Sequence, residues 1–115
     1  MHELSTCKSL IQQTQNAITD YSTCKIKSIT VSIGELARVD VEELVELFPL
    51  ASQGTIVEDA ELIIKREPAT FMCNNCQQTS RFSGSHIVCS HCHSQLLTLV
   101  SGTDLVLDNI ELEQY

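Results

Sequence analysis

Leu4, Cys7, Ile11, Thr14, Ile18 and Tyr21 follow one another at intervals of three and four residues. That spacing traces one face of an α-helix, so the pattern predicts a helix from about Glu3 to Asp20, with Leu10 and Ala17 widening the stripe. Gln12, Gln13, Gln15 and Asn16 supply its wet side. From Lys25 to Gly34 the period changes to two. Ile29, Val31 and Ile33 alternate with Thr30 and Ser32, which predicts a strand with one buried face, ended by Gly34. Asp40 then reads as a helix N-cap, and Glu43 three residues on completes a capping box. The second helix is expected from about Val41 to Ser52, with Leu44, Leu47, Phe48 and Ala51 inward. Pro49 should kink it or break it early, and Gly54 is a natural stop.

A second strand is expected at Glu61–Glu67, around Leu62, Ile63 and Ile64, closed by Pro68. A third runs from Leu105 to Glu113, where the step from Leu107 to Ile110 breaks strict alternation and suggests a bulge near Asp108-Asn109. Neither helices nor sheet can bury an apolar face alone. The expected fold is therefore α+β: a three-stranded sheet with two helices on one face, plus an inserted four-cysteine zinc-ribbon-like module. The main domain is discontinuous, 1–68 and 102–115, and the insertion is 69–101.

The insertion carries the strongest chemical signal. Cys73-Asn74-Asn75-Cys76 is answered by Cys89-Ser90-His91-Cys92, with twelve residues between the pairs. Each Cys-x-x-Cys turn can aim two thiolates at one point, and four thiolates around one ion suit zinc. Two disulfides or an iron centre on the same sulfurs are the competing readings. Four cysteines close the coordination shell, so the ion is structural rather than catalytic. Large apolar residues are few here beyond Phe71, Phe82, Ile87, Val88 and Leu96, Leu97 and Leu99. Metal binding would supply the missing folding free energy, on the order of 10 kcal/mol. Cys7, on the first helix stripe, reads as a small core residue.

Composition narrows the function. The chain has 115 residues, 43% of them hydrophobic, enough for a packed core. No apolar run approaches a membrane span. No signal segment opens the chain, so six cysteines point to a reducing cytoplasm and to metal. The net charge is −8, and all fifteen acids lie outside 69–101, where Arg81 is the only basic residue besides histidine. Neither part offers the basic surface that nucleic-acid binding needs. No nucleophile-and-base pairing suggests an enzyme.

The amino terminus holds the second site. Met1 offers an amine and His2 a backbone amide and an imidazole. Amine and amide close a five-membered chelate ring, and amide and Nδ1 a six-membered one. Nitrogen donors in a plane suit Ni²⁺ or Cu²⁺. Glu3 could add its amide or its carboxylate.

Met1-His2-Glu3-Leu4-Ser5, Ile33-Gly34-Glu35-Leu36, Gln53-Gly54-Thr55-Ile56 and the paired Cys-x-x-Cys, in that order, resemble the HypA/HybF family of nickel metallochaperones. The resemblance implies a nickel site using His2 at the amino terminus, with Ni²⁺ as transient cargo; the Met1 amine joins it by the chelate chemistry above and Glu3 by adjacency. It implies a separate structural zinc at Cys73, Cys76, Cys89 and Cys92. It further implies delivery, with a nickel-handling GTPase, to the large subunit of nickel-iron hydrogenase, and in some bacteria to urease. Whether the chain forms a homodimer stays open. The chain departs from the pattern at Pro49 and at His93, where many relatives have glycine. His91 and His93 stand beside the zinc thiolates, either as exposed loop residues or as a pH- or nickel-sensitive coupling; with His86 they are the other imidazoles available to nickel. Asp40 reads as a cap first and as a residue near the nickel second. The alternative function is an acidic zinc-ribbon interaction module with no nickel role.

Overall fold

The computed structural model describes residues 2–18, 24–81 and 88–114. Met1, Tyr21, Phe82, His86 and Ile87, named above, lie outside them. The elements are α1 (Glu3–Ala17), β1 (Cys24–Gly34), α2 (Val41–Ser52), β2 (Glu61–Glu67), β3 (Thr70–Cys73), β4 (Thr79–Arg81), β5 (Leu97–Ser101) and β6 (Leu105–Gln114). Two three-stranded sheets form, ordered β2-β1-β6 and β4-β3-β5. The chain divides into two compact units. One is Met1–Ser32, Arg38–Lys65 and Val106–Tyr115; the other is Ile33–Ala37 and Arg66–Leu105.

In the first unit α1 and α2 pack together. The α1 stripe is Glu3, Cys7, Leu10, Ile11 and Thr14. It lies one residue away from the expected one at its start: Leu4 is exposed and Glu3 is buried. The helix also stops at Ala17, three residues short of Asp20, because Ile18 turns extended. Thr14, fully buried, donates its hydroxyl to the Leu10 carbonyl at 2.8 Å. Its polar atom is thereby satisfied inside the helix.

The second helix begins where expected. Asp40 Oδ1 accepts the Glu43 N–H at 3.2 Å. Leu44 and Phe48 are buried, with Ser52 one turn further on. The helix also runs to Ser52 as expected, and of the two effects expected of Pro49, an early break does not occur. Pro49, Val45 and Leu50 are all exposed, so the proline sits on the wet side of the helix. Past the helix, the Ser52 carbonyl accepts from the Thr55 N–H at 3.0 Å and from its hydroxyl at 2.7 Å.

Strand β1 departs from simple alternation. Ile29, Val31 and Ile33 are fully buried, but so on the opposite face are Ile26, Ser28 and Ser32, at 6% exposure or less. The cause is its central place. Ser28 Oγ donates to Glu111 and Ser32 Oγ to Asp108, both on the neighbouring β6. Carboxylates from an edge strand thus roof a face that the residue pattern assigned to water.

The second unit is built from antiparallel pairings. Met72 lies opposite Thr79 on β4 and opposite Thr98 on β5. The residue pattern does not reveal these three short strands inside the cysteine segment. Residues 33–37 are strapped to the same unit by backbone bonds. Gly34 N–H donates to the Asp104 carbonyl at 2.8 Å, Glu35 N–H to Glu67 at 2.7 Å and Leu36 N–H to Gly102 at 2.8 Å. Glu35 Oε1 in turn accepts the Ala69 N–H at 2.9 Å. The backbones meet so closely that a Cβ on Gly34 would fall inside the Gly102 carbonyl and 2.8 Å from its Cα. Gly34→Ala is therefore expected to destabilise the protein by about 2 kcal/mol or more. Gly54→Ala, where φ is +76° but space is open, should cost only the backbone penalty of about 1 kcal/mol. Thermal denaturation of the two variants checks the order.

Candidate metal centre

Cys73 ends β3, and its carbonyl turns the chain by accepting the Gln77 N–H at 2.9 Å, while its own N–H donates to the Gln78 carbonyl at 2.8 Å. Cys89 repeats the arrangement, with its carbonyl on the His93 N–H at 2.9 Å and its N–H on the Ser94 carbonyl at 2.8 Å. The two Cys-x-x-Cys turns are copies of one knuckle. Each bends back at a residue with positive φ, Gln77 at +66° and His93 at +64°. Glycine takes that conformation without cost, which accounts physically for the glycine expected at position 93.

The two knuckles bring four sulfurs together. Cys73 and Cys92 Sγ lie 3.6 Å apart, as do Cys76 and Cys89. All four fall within 4.8 Å of one another. A tetrahedral ion with metal–sulfur bonds of about 2.3 Å needs sulfurs roughly 3.8 Å apart. The cage has that size. The sulfurs are free thiols rather than disulfides, and a disulfide needs about 2.05 Å. Two serines tie the knuckles: Ser90 N–H donates to Ser80 Oγ at 3.2 Å, and the hydroxyls are 3.0 Å apart. Asn74 anchors the first to β5, its N–H on the Leu96 carbonyl at 2.7 Å and its Oδ1 on the Thr98 hydroxyl at 3.1 Å. Sequence reasoning misses Asn74, Ser80 and Ser90. Small polar side chains flanking a paired cysteine turn are the only signal for them.

The first cysteine of each knuckle is electrostatically favoured. Cys73 Sγ receives the N–H groups of Asn75 at 3.4 Å and Cys76 at 3.5 Å. Cys89 Sγ receives those of His91 at 3.3 Å and Cys92 at 3.4 Å. Amide dipoles stabilise a thiolate. The Cys92 N–H foremost, then that of His91, holds Cys89 down to about 6 against the opposing effect of burial. Cys73 is lowered likewise, the Cys76 N–H leading. Cys76 goes the other way, to about 12. The Gln78 backbone pulls it down, but burial and the neighbouring sulfurs of Cys89, Cys92 and Cys73 outweigh that contact. The cage therefore invites a cation to discharge it.

The other candidates are placed as follows. His2 is the exposed N-cap of α1, extended at φ −85°, ψ 109°. Glu3 begins the helix and is buried, its Oε1 accepting the Asp40 N–H at 3.0 Å. Asp40 caps α2. His91 and His93 are both exposed. Cys7 is fully buried and donates to the Leu44 carbonyl at 3.6 Å; burial pushes its thiol up, so it stays neutral in the core.

Residues 1–112 match the family described as hydrogenase/urease nickel incorporation, metallochaperone, hypA. The chain belongs to this HypA family. Its relatives include the hydrogenase maturation factor HypA of Nitrosospira multiformis, 36% identical over 112 residues, 97% of each chain. Another is the hydrogenase maturation factor HybF of Salmonella typhimurium, 31% identical over 113 residues, covering 98% of this chain and all of that one. The solution structure of the nickel metallochaperone HypA from Helicobacter pylori superposes over the whole of both chains with a TM-score of 0.71 at 27% identity. In this HypA-family chain the four-cysteine cage has the donors and the spacing to hold a metal ion.

Two outcomes follow from the cage. In the assembled cage the amide dipoles favour thiolates at Cys73 and Cys89, while crowding by the other sulfurs disfavours one at Cys76. Removing the ion with a chelator should therefore unfold the second unit while the helices of the first persist, read by circular dichroism. His93→Gly should stabilise the metal-loaded protein by about 1 kcal/mol, and His93→Val should destabilise it by at least as much, both read by thermal denaturation.

Proposed function

We propose that the protein carries Ni²⁺ at its amino terminus and delivers it during maturation of nickel-iron hydrogenase. The Met1 amine, the His2 amide and the His2 imidazole are the donors, with the Glu3 amide available as a fourth. The observation that carries this reading is where α1 starts. The first N–H groups of a helix have no partner within it. With His2 as N-cap, the amides of His2 and Glu3 are among these groups. The backbone nitrogens that a planar nickel site needs are therefore not used by the helix itself, and His2 is exposed to receive the ion.

The four cysteines hold a structural Zn²⁺ in this reading. The donor set is complete without water, so the ion shapes the second unit and offers no open position for catalysis. Iron in the same cage would colour the protein, and zinc would not. The acidic chain, at −8, meets proteins rather than nucleic acid. Its partners are a nickel-handling GTPase and the hydrogenase large subunit in the cytoplasm, with urease as a second recipient. Among the described residues no helix is long and apolar enough to cross a membrane.

Acetylating the amino terminus removes the amine donor and leaves every side chain intact. Nickel titration followed by absorption spectroscopy should show strong loss of binding, with zinc content unchanged. His2→Ala should do the same. A His2→Ala protein that binds nickel like the parent would remove the mechanism.

A further inference from the structure

The capping box at the start of α2 has two arms. In its usual form the cap side chain accepts the N–H three residues on, and the residue there returns its carboxylate to the cap's own N–H. The first arm is present, Glu43 N–H on Asp40 Oδ1 at 3.2 Å. The second is supplied from elsewhere in the chain. The Asp40 N–H donates to Glu3 Oε1 at 3.0 Å, thirty-seven residues away in sequence, while Glu43 stays exposed. Glu3 is only 8% exposed, unusual for an acid two residues from a chain end.

We propose that Glu3 is a positioning residue for the nickel terminus: its carboxylate serves by pinning the first turn of α1 to the cap of α2, not by coordinating the ion. The proposal rests on the amino-terminal nickel reading. It replaces a role by adjacency, in which Glu3 would be a side-chain ligand. A planar chelate built on the first residues of a helix is only as well placed as that first turn. Terminal residues fray unless tied down. The Glu3–Asp40 bond is a long-range tie at the base of the turn, one residue after His2. Contacts that orient a metal ligand from behind typically account for 10- to 100-fold in metal affinity.

The test compares Glu3→Gln and Glu3→Ala with the parent, using nickel titration and hydrogen exchange at the Asp40 amide in the nickel-free, zinc-loaded protein. Glutamine keeps an oxygen acceptor and removes the charge; alanine removes both. Glu3→Gln should keep nickel affinity within about threefold and keep the Asp40 amide protected. Glu3→Ala should lose at least tenfold in affinity, with at least tenfold faster exchange. Nickel affinity must follow amide protection across both variants. Protection kept with nickel lost would make the carboxylate a ligand and overturn the proposal. Protection lost with nickel kept, or neither readout moving, would overturn it equally. That last outcome applies to Glu3→Ala; should Glu3→Ala fail to fold, Glu3→Gln decides, since affinity and protection kept together or lost together support the tie and either one lost without the other overturns it. His2→Ala separates the underlying reading: it should lose nickel with the Asp40 amide still protected, and nickel retained there refutes the terminal site, whereas the Glu3 variants judge only the tie.

Discussion

Four sulfurs within 4.8 Å of one another cannot all ionise without a cation among them. The second unit depends on how that repulsion is resolved. Among the described residues, its fully buried apolar side chains are Ile33, Ala69 and the two cysteines Cys73 and Cys89 themselves. So little apolar burial does not support an independent fold. The cage, the two knuckles and the short β4-β3-β5 sheet therefore stand or fall with the ion. The first unit differs. Leu10, Ile29, Val31, Leu44 and Val57 are fully buried in it without any metal.

Much of this was legible in the residues, for identifiable reasons. The second helix and the second strand begin and end where the pattern placed them, since Asp40 and Pro68 are strong local punctuation. The cysteine cluster was legible because its spacing is itself the geometry. What escaped was decided at long range. Glu3 read as a possible nickel donor by its place next to His2, yet its carboxylate is buried with the Asp40 amide as its partner. That contact also sets the α1 stripe to begin at Glu3 and leaves Leu4 outside. Ser32 stood on the face that the alternation left to water, and the pairing of β1 with β6 covers it. The helix survives Pro49 because the proline sits on its wet side.

The Ile33-Gly34-Glu35-Leu36 motif shows how a family signature can be structural. Its backbone and the Glu35 carboxylate are committed to Asp104, Glu67, Gly102 and Ala69. Nothing in the local sequence could reveal this, because every partner lies more than thirty residues later. The knuckles make the complementary point. Gln77 and His93 occupy equivalent left-handed positions, although neither residue type announces a backbone of that hand.

Strand β6, Leu105–Gln114, completes one edge of the sheet whose centre is β1, Cys24–Gly34. It lies more than seventy residues after the strand it pairs with. Until it is in place β1 lacks a neighbour on that side, and Ser28 and Ser32 lack their carboxylates. An unpaired strand edge is a template for wrong pairing. The late closing of this sheet is therefore the step of folding at which the chain is most exposed to aggregation.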